Sequence, residues 1–347
     1  MLKKNQSITL DKFINHCLYD KKDGYYMSKN PFGITGDFIT APNISRLYSE
    51  MIAIWIISFW EGLGSPEEFN LIELGAGNGE MMKIILESFK NFPSFFKSCN
   101  ISIYEKSPKL IKIQKQKIQF KRLKWIKNFK KLKKLPTIFI ANEFFDAMPI
   151  KQFFKEKNNW YERLIKVFDK NNFNLEKRKV DIKILERKVN LKFSYKQNFI
   201  EYSPLGMKYL TEIIKIVDKN NGGLLIIDYG SYEKKFKNTI KAIYNKKHSN
   251  FLKNVGKSDI THNINYYLFD KTIKNFKGLT SNYTTQKKFL INLGIFRRAE
   301  NISKNKTFSE KADIFYRIKR LTDKNLMGNL FKVMLIKKID NKSKVGF

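Results

Sequence analysis

An apolar run that leads directly into a glycine-rich turn constrains this chain more than any other feature. Residues 69–74 read FNLIEL, and Gly75-Ala76-Gly77-Asn78-Gly79 follows at once. The apolar hexamer predicts a buried strand, and the next residues, EMMKIILESFK, predict a helix. Glycines permit such a turn and let a ligand approach the backbone beyond the strand end. The pattern therefore predicts a ligand site between a strand and a helix N-terminus.

Strands and helices alternate along much of the rest of the chain. Six further runs predict strands, at residues 101–106, 123–128, 137–146, 222–230, 278–285 and 329–337. Residues 44–62, with Ser45 or Asn43 as N-cap, and residues 108–119 predict helices. This alternation is typical of a mostly parallel sheet with helices on both faces. We predict an α/β fold with a Rossmann-like sheet of seven strands.

Two stretches are too long to be simple crossover connections. We interpret residues 150–221 as an inserted subdomain that meets the substrate, and 231–275 as a second insertion. Residues 66–149 and 222–340 then form the Rossmann-like domain, and residues 1–65 an N-terminal helical and loop segment that packs on it. A hydrophobic content of 42%, with 30 Phe and 16 Tyr, is sufficient for such a core.

The glycine spacing distinguishes between two classes of cofactor. Dinucleotide sites carry G-x-G-x-x-G, whereas here the third glycine comes one residue early and Glu80 stands in its place. A carboxylate there would repel a pyrophosphate. Glu73, two residues before the first glycine, is typical of sites that hold the methionine end of S-adenosylmethionine. The sequence therefore favours S-adenosylmethionine over NAD, bound through Glu73, Gly75, Gly77 and Gly79.

Acidic and amide side chains end two of the other predicted strands. Glu105 ends the second strand, where a carboxylate can accept the ribose hydroxyls of an adenosine; a solvated glutamate is the structural alternative. The fourth strand ends in Asn142, Glu143 and Asp146. Polar groups at the end of a buried strand need partners, so we expect substrate or cofactor binding, with helix capping by Asn142 or Asp146 as the alternative.

Cysteine and histidine usage argues against a metal site. The chain has two cysteines and three histidines, namely Cys17, Cys99, His16, His248 and His262. They form no CxxC pair and no cluster, so neither a disulfide framework nor a metal is expected.

Residues 1–10 lack the pattern of a secretory signal, and the most apolar run, 51–60, is too short to span a bilayer. We expect a cytoplasmic protein without membrane insertion.

The formal net charge of +35 has two interpretations. A polyanionic partner such as nucleic acid would explain it directly. The abundance of Lys, Asn, Ile and Phe together also fits AT-rich codon bias. The lysines are scattered, and the densest run, 112–134, lies between motifs. We favour codon bias, with the lysines on a solvated surface, and keep nucleic-acid binding as the alternative.

Six segments in one order carry a family resemblance. They are GDFITAP (36–42), IELGAGNGEMM (72–82), ANEFFDAMPIKQF (141–153), IDYG (227–230), SDITHNINY (258–266) and MGNLFKVM (327–334). Over about Tyr25 to Met334 the chain resembles the MidA family of class I methyltransferases. The first and third segments are more specific than the glycine motif, which many methyltransferases share.

The resemblance implies a protein substrate and further site residues. Mitochondrial members of that family are protein arginine methyltransferases that assist respiratory complex I assembly, with an arginine of a core peripheral-arm subunit as target. In a eukaryotic source the location would be the mitochondrial matrix, and a homodimer is a further expectation. The resemblance also implies that Gly36, Asp37 and Thr40 lie beside the cofactor. His262 stands one position before the family's histidine.

A guanidinium acceptor would need a carboxylate, because its delocalised charge makes it a poor nucleophile. We expect Glu143 to hold it, with Asp146 second and Asp37 and Asp228 in reserve, and His262 or Asp259 to take the departing proton. A nucleic-acid methyltransferase is the first alternative, although Ala-Asn-Glu-Phe replaces the Asn/Asp-Pro-Pro-Tyr/Phe tetrad of adenine enzymes. A non-catalytic assembly factor that retains the fold is the second.

Overall fold

The computed structural model describes residues 3–28, 31, 33, 39–169, 171–190, 192 and 194–347. The chain forms two compact units. The first comprises Met1–Pro31, Phe145–Glu212 and Ser231–Asn275. The second comprises Phe32–Phe144, Ile213–Gly230 and Phe276–Phe347.

Strands and helices are numbered along the described chain. The strands are β1 (Gln6–Thr9), β2 (Phe69–Leu74), β3 (Cys99–Tyr104), β4 (Lys124–Ile126), β5 (Thr137–Asn142), β6 (Lys151–Glu156), β7 (Asn159–Val167), β8 (Phe173–Val180), β9 (Phe199–Tyr202), β10 (Gly222–Ser231), β11 (Lys241–Tyr244), β12 (Lys247–Ser249), β13 (Asp259–Thr261), β14 (Ile264–Asn265), β15 (Leu279–Thr285) and β16 (Phe331–Lys338). The helices are α1 (Leu10–Tyr19), α2 (Tyr25–Ser28), α3 (Ala41–Ile44), α4 (Arg46–Gly62), α5 (Glu80–Phe89), α6 (Pro93–Ser98), α7 (Pro108–Lys117), α8 (Ile182–Val189), α9 (Pro204–Asn220), α10 (Tyr266–Ile273), α11 (Gln286–Asn292), α12 (Ile295–Ser303), α13 (Phe308–Thr322) and α14 (Met327–Leu330).

The second unit is built on one twisted sheet. Within its described residues the strand order is β15-β16-β10-β5-β2-β3-β4. The five strands from β10 to β4 are parallel, and β16 runs antiparallel to both of its neighbours. This confirms the predicted Rossmann-like, mostly parallel sheet of seven strands. Because β2 lies between β5 and β3, the carboxyl ends of these three strands reach the same edge.

Helix α4 packs against the sheet within the main hydrophobic core. Ten of its side chains are buried, and the rings of Trp55 and Phe59 stack with centroids 4.9 Å apart. Ser45 is its N-cap and accepts a hydrogen bond from the Leu47 amide, as predicted. No described helix is both long and apolar enough to cross a membrane.

The first unit contains two antiparallel sheets. In one, the order is β1-β7-β6-β9, with β8 also paired to β7; in the other, β11 lies between β12 and β13. The predicted insertions, 150–221 and 231–275, contribute most of this unit. The predicted N-terminal segment, 1–65, is divided instead of forming one piece. Residues 1–31 join the first unit because β1 pairs with β7, Gln6 opposite Val167.

Candidate active site

A cleft opens in the second unit at the carboxyl edge of the sheet. Its described lining consists of Thr40, Pro42, Asn43, Glu73, Gly75, Ala76, Gly77, Asn78, Glu80, Met81, Asn142 and Glu143. Five predicted cofactor residues and Glu143 therefore meet in one place. Gly79, which lies between the lining residues Asn78 and Glu80, and Glu105, which follows β3, are not among the lining residues. Gly36 and Asp37 lie outside the described residues.

The glycine turn joins β2 to α5 in a backbone conformation that residues with a side chain rarely adopt. Gly75 and Gly77 have φ angles of 66° and 53°, in the left-handed region. A Cβ atom on Gly75 would lie 2.9 Å from Cδ2 of Phe144. Gly79, the N-cap of α5, is left-handed as well. The turn thus exposes backbone to the cleft at the N-terminus of a helix, an arrangement that favours negatively polarised ligand groups.

Glu73 is the buried acid of the cleft. It is 3% exposed, and its Oε2 atom has no hydrogen-bond partner among the described residues. Burial, and then the charge of Glu105, raise the pKa of Glu73 to about 8. A buried polar atom without a partner is costly. A cationic or hydrogen-donating ligand group would satisfy it.

Glu105 follows β3 and is held by three donors. Its Oε1 accepts from the backbone amides of Lys106 and Ser107, at 2.8 and 2.9 Å. Its Oε2 accepts from Nε2 of Gln114 at 3.1 Å. Burial raises the pKa of the carboxyl, and these hydrogen bonds oppose the rise. The side chain is thus held in one orientation and is not a solvated strand-end glutamate.

A short series of hydrogen bonds links the glycine turn to residues 40–43. Nδ2 of Asn78 donates to Oδ1 of Asn43 at 2.9 Å, and Nδ2 of Asn43 donates to Oγ1 of Thr40 at 2.8 Å. Oδ1 of Asn78 accepts from the Glu80 amide at 3.2 Å. These hydrogen bonds connect Thr40, which was predicted from the GDFITAP segment, to the glycine turn.

The end of β5 holds the predicted acceptor-binding carboxylate. Glu143 has a φ angle of 50°, and its amide donates to the Ile227 carbonyl on β10 at 2.9 Å. Nδ2 of Asn142 donates to Oε1 of Glu143 at 3.2 Å, and the Tyr48 hydroxyl donates to Oδ1 of Asn142 at 2.5 Å. A left-handed glutamate is uncommon and strained. In this conformation the Glu143 side chain lines the cleft.

Asp228 and Tyr48 lie near this carboxylate. Asp228 is fully buried within β10, three residues before the strand ends, and its Oδ1 accepts from the Tyr229 amide at 2.8 Å. Burial, with the charges of Glu143 and Asp228, raises the pKa of Tyr48 well above its usual value. Tyr48 therefore remains a hydrogen-bond donor across the physiological pH range.

Asp146 and His262 belong to the first unit, whereas Glu143 belongs to the second. Within the first unit the His262 amide donates to the Asp146 carbonyl at 3.1 Å. His262 is 9% exposed, and burial lowers the pKa of its ring to about 4. The ring is consequently neutral near pH 7. The Tyr26 hydroxyl donates to Oδ1 of Asp259 at 2.7 Å.

Sequence reasoning missed several residues of the site. Tyr48 and Gln114 lie on predicted helices, where nothing in the sequence distinguishes them from core residues. Asn43 and Asn78 stand within or next to the quoted motifs, and an amide beside a glycine turn is a usable signal. No group of acidic, histidine and cysteine residues suited to a metal occurs among the described residues.

The cleft fits S-adenosylmethionine on its own chemistry. Glu73 has an unpartnered oxygen for a cationic group, and Gly75 and Gly77 of the glycine turn line the cleft. The parallel sheet with its glycine turn after β2 defines a class I methyltransferase fold. The family model "Putative S-adenosyl-L-methionine-dependent methyltransferase" matches residues 51–285. The chain belongs to this family, which confirms the resemblance, and its cofactor is S-adenosylmethionine.

Curated relatives and solved structures extend over nearly the whole chain. The protein arginine methyltransferase NDUFAF7 of Xenopus laevis is 27% identical over 95% of this chain and 81% of its own length. That of Bos taurus is 28% identical over 85% and 71%. A Burkholderia thailandensis protein solved with S-adenosyl-homocysteine has a TM-score of 0.79 at 21% identity, covering 95% of this chain and 88% of that one. It establishes the likeness of fold.

Proposed function

We propose that this protein transfers a methyl group from S-adenosylmethionine to an arginine side chain of a protein. The observation that carries the proposal is the carboxylate of Glu143, which lines the cofactor cleft at the end of β5 and is held by Asn142 at 3.2 Å. The curated relatives, named as mitochondrial protein arginine methyltransferases, support it. A peripheral-arm subunit of complex I is the acceptor that the family resemblance implies.

The chemistry assigns separate roles to the cleft residues. The bound cofactor supplies an electrophilic methyl group on a sulfonium. Glu73, Thr40, Asn142 and the glycine turn would hold the cofactor, with Glu105 at its ribose hydroxyls. Glu143 holds the guanidinium and localises its charge away from the reacting nitrogen, so that orientation provides much of the rate.

We assign two further residues to the acceptor, as the sequence predicted. Asp146 is the second carboxylate, and His262, which burial keeps neutral, takes the departing proton. We also propose, as the sequence predicted, that the enzyme works in the cytoplasm, or in the mitochondrial matrix of a eukaryotic source.

The test is incubation with methyl-labelled cofactor and a lysate of the source cell, followed by hydrolysis and identification of the labelled amino acid. We expect label in methylarginine. Glu143→Gln removes the charge and keeps the size, so transfer should fall by orders of magnitude, while cofactor affinity changes by less than about 1 kcal/mol.

Glu68→Gln is the matched control, since Glu68 is exposed just before β2 and lies outside the cleft lining. It should behave as the wild type. Label in nucleic acid alone would contradict the proposal. A parallel loss of cofactor binding in Glu143→Gln would place Glu143 with the cofactor and return the acceptor role to Asp146, Asp37 or Asp228.

A further inference from the structure

Gln114 on α7 is a fully buried amide that joins three parts of the cofactor region. Its Nε2 donates to the Gly77 carbonyl at 2.9 Å and to Oε2 of Glu105 at 3.1 Å. Its Oε1 accepts from the indole nitrogen of Trp125 at 2.9 Å. An indole only donates, so Trp125 fixes which end of the amide is the oxygen. The nitrogen must then point at the turn and at Glu105.

The same face of α7 packs directly on the glycine turn. Nζ of Lys117 forms an ion pair with Oε2 of Glu80 at 2.7 Å. A Cβ atom on Gly79 would meet Cδ1 of Ile118 at 3.0 Å and Cγ of Gln114 at 3.3 Å. Residues 114, 117 and 118 follow the spacing of one helix face. This helix therefore supports the turn from behind.

Gln114 contacts the one oxygen of Glu105 that retains accepting capacity. A carboxylate offers about four acceptor positions, two on each oxygen. The two backbone amides occupy those of Oε1, and Gln114 occupies one on Oε2. A ribose hydroxyl bound by Glu105 would thus share Oε2 with the Gln114 amide.

We propose that Gln114 is a positioning residue of the cofactor site, which holds the Glu105 carboxylate and the glycine turn at a fixed separation. Trp125 sets its orientation. Gln114 acts through Glu105 and Gly77 and does not itself line the cleft. The proposal rests on the assignment of Glu105 to the ribose and is independent of which acceptor is methylated.

The test is calorimetric binding of S-adenosylhomocysteine to the full-length protein. Gln114→Met keeps the length and apolar bulk of the side chain and removes the donor. We expect affinity to fall about tenfold or more, the loss of a hydrogen bond to a charged group. Gln286→Met is the matched control, because Gln286 is equally buried in the second unit but donates to the Leu321 carbonyl. It should leave affinity within about twofold, even if it lowers the melting temperature.

Two further measurements separate positioning from general destabilisation. In a double-mutant cycle with Glu105→Ala, which should itself weaken binding, Gln114→Met should add little, because both changes remove the same interaction. An analogue of S-adenosylhomocysteine without ribose hydroxyls should show a smaller difference in affinity between wild type and Gln114→Met, because the contribution made through Glu105 is then absent from both. If Gln114→Met does not fold, Trp125→Phe serves in its place, because it loses only the N–H donor and some ring area. It should show a smaller loss of affinity for S-adenosylhomocysteine.

Wild-type affinity in folded Gln114→Met, or fully additive effects in the cycle, would overturn the proposal. Unchanged binding in Glu105→Ala would remove the ribose assignment and the proposal with it. Neither result bears on the arginine acceptor, which the Glu143→Gln assay tests separately.

Discussion

Glu73 and Glu105 are neighbouring buried carboxyl groups at the ends of two adjacent parallel strands. Burial, and then the charge of Glu105, raise the pKa of Glu73 to about 8. The cleft thus contains an acid that is mostly protonated near pH 7 before the cofactor binds. The cofactor brings two cationic groups, an ammonium and a sulfonium, which favour the charged form of a nearby acid.

We therefore expect cofactor binding at pH 7 to release up to about one proton from Glu73. Calorimetry in buffers of different ionisation enthalpy measures this release. Glu73→Gln has no proton to lose and should release almost none, whereas exposed Glu68→Gln should match the wild type. Binding of S-adenosylmethionine by the wild type without proton exchange would contradict the assignment of Glu73 to the cofactor.

Gly77→Val should abolish detectable cofactor binding. Its φ of 53° is strained for a branched residue, and the side chain would enter the lining of the cleft. Gly64→Val is the control for backbone strain alone: Gly64 has a φ of 83°, and a Cβ atom there would meet nothing within 4 Å. Equal cofactor affinity in wild type and Gly77→Val would refute the placement.

His262 should make the protein less stable on acidification. Its pKa in the folded state is about 4, below the usual 6.5, so the unfolded chain binds more protons between those values. The neutral ring therefore contributes about 3 kcal/mol to the free energy of unfolding above pH 6.5. This contribution is lost as the pH falls to 4. Denaturant unfolding of His262→Gln should show a shallower fall over this range, and exposed His248→Gln the wild-type slope. Equal slopes in all three would show that His262 does not titrate in this way.

If the charge of +35 reflects codon bias, nucleic acid should bind weakly and without sequence preference. Binding of duplex DNA and of RNA should fall steeply with salt, because it depends on counterion release. Fluorescence anisotropy at several salt concentrations measures this. A nanomolar complex that persists at physiological salt would favour a nucleic-acid substrate over a protein one.

Much of the second unit could be predicted from local sequence. The run 69–79 specifies a buried strand, a glycine turn and a helix, since apolar residues must be buried and glycines alone accept the turn. The other apolar runs gave the remaining strands, and Ser45 gave the start of α4. Residues 286–322 form α11 to α13, and the sequence does not predict these helices because their mixed apolar and basic pattern marks no clear boundary.

The sequence by itself determined the seven strands of the main sheet, the cofactor class and the acidic residues near the ends of β2, β3 and β5. Tertiary structure alone decided that β1 pairs with β7 and draws residues 1–31 into the first unit. It also decided that Gln114 bridges Gly77 and Glu105, and that Tyr48 orients Asn142. These contacts join positions that lie from 9 residues apart, as with Gln114 and Glu105, to 161 residues apart, as with Gln6 and Val167. Burial and turn chemistry act on neighbours along the chain, whereas such hydrogen bonds depend on which surfaces the folded chain brings together.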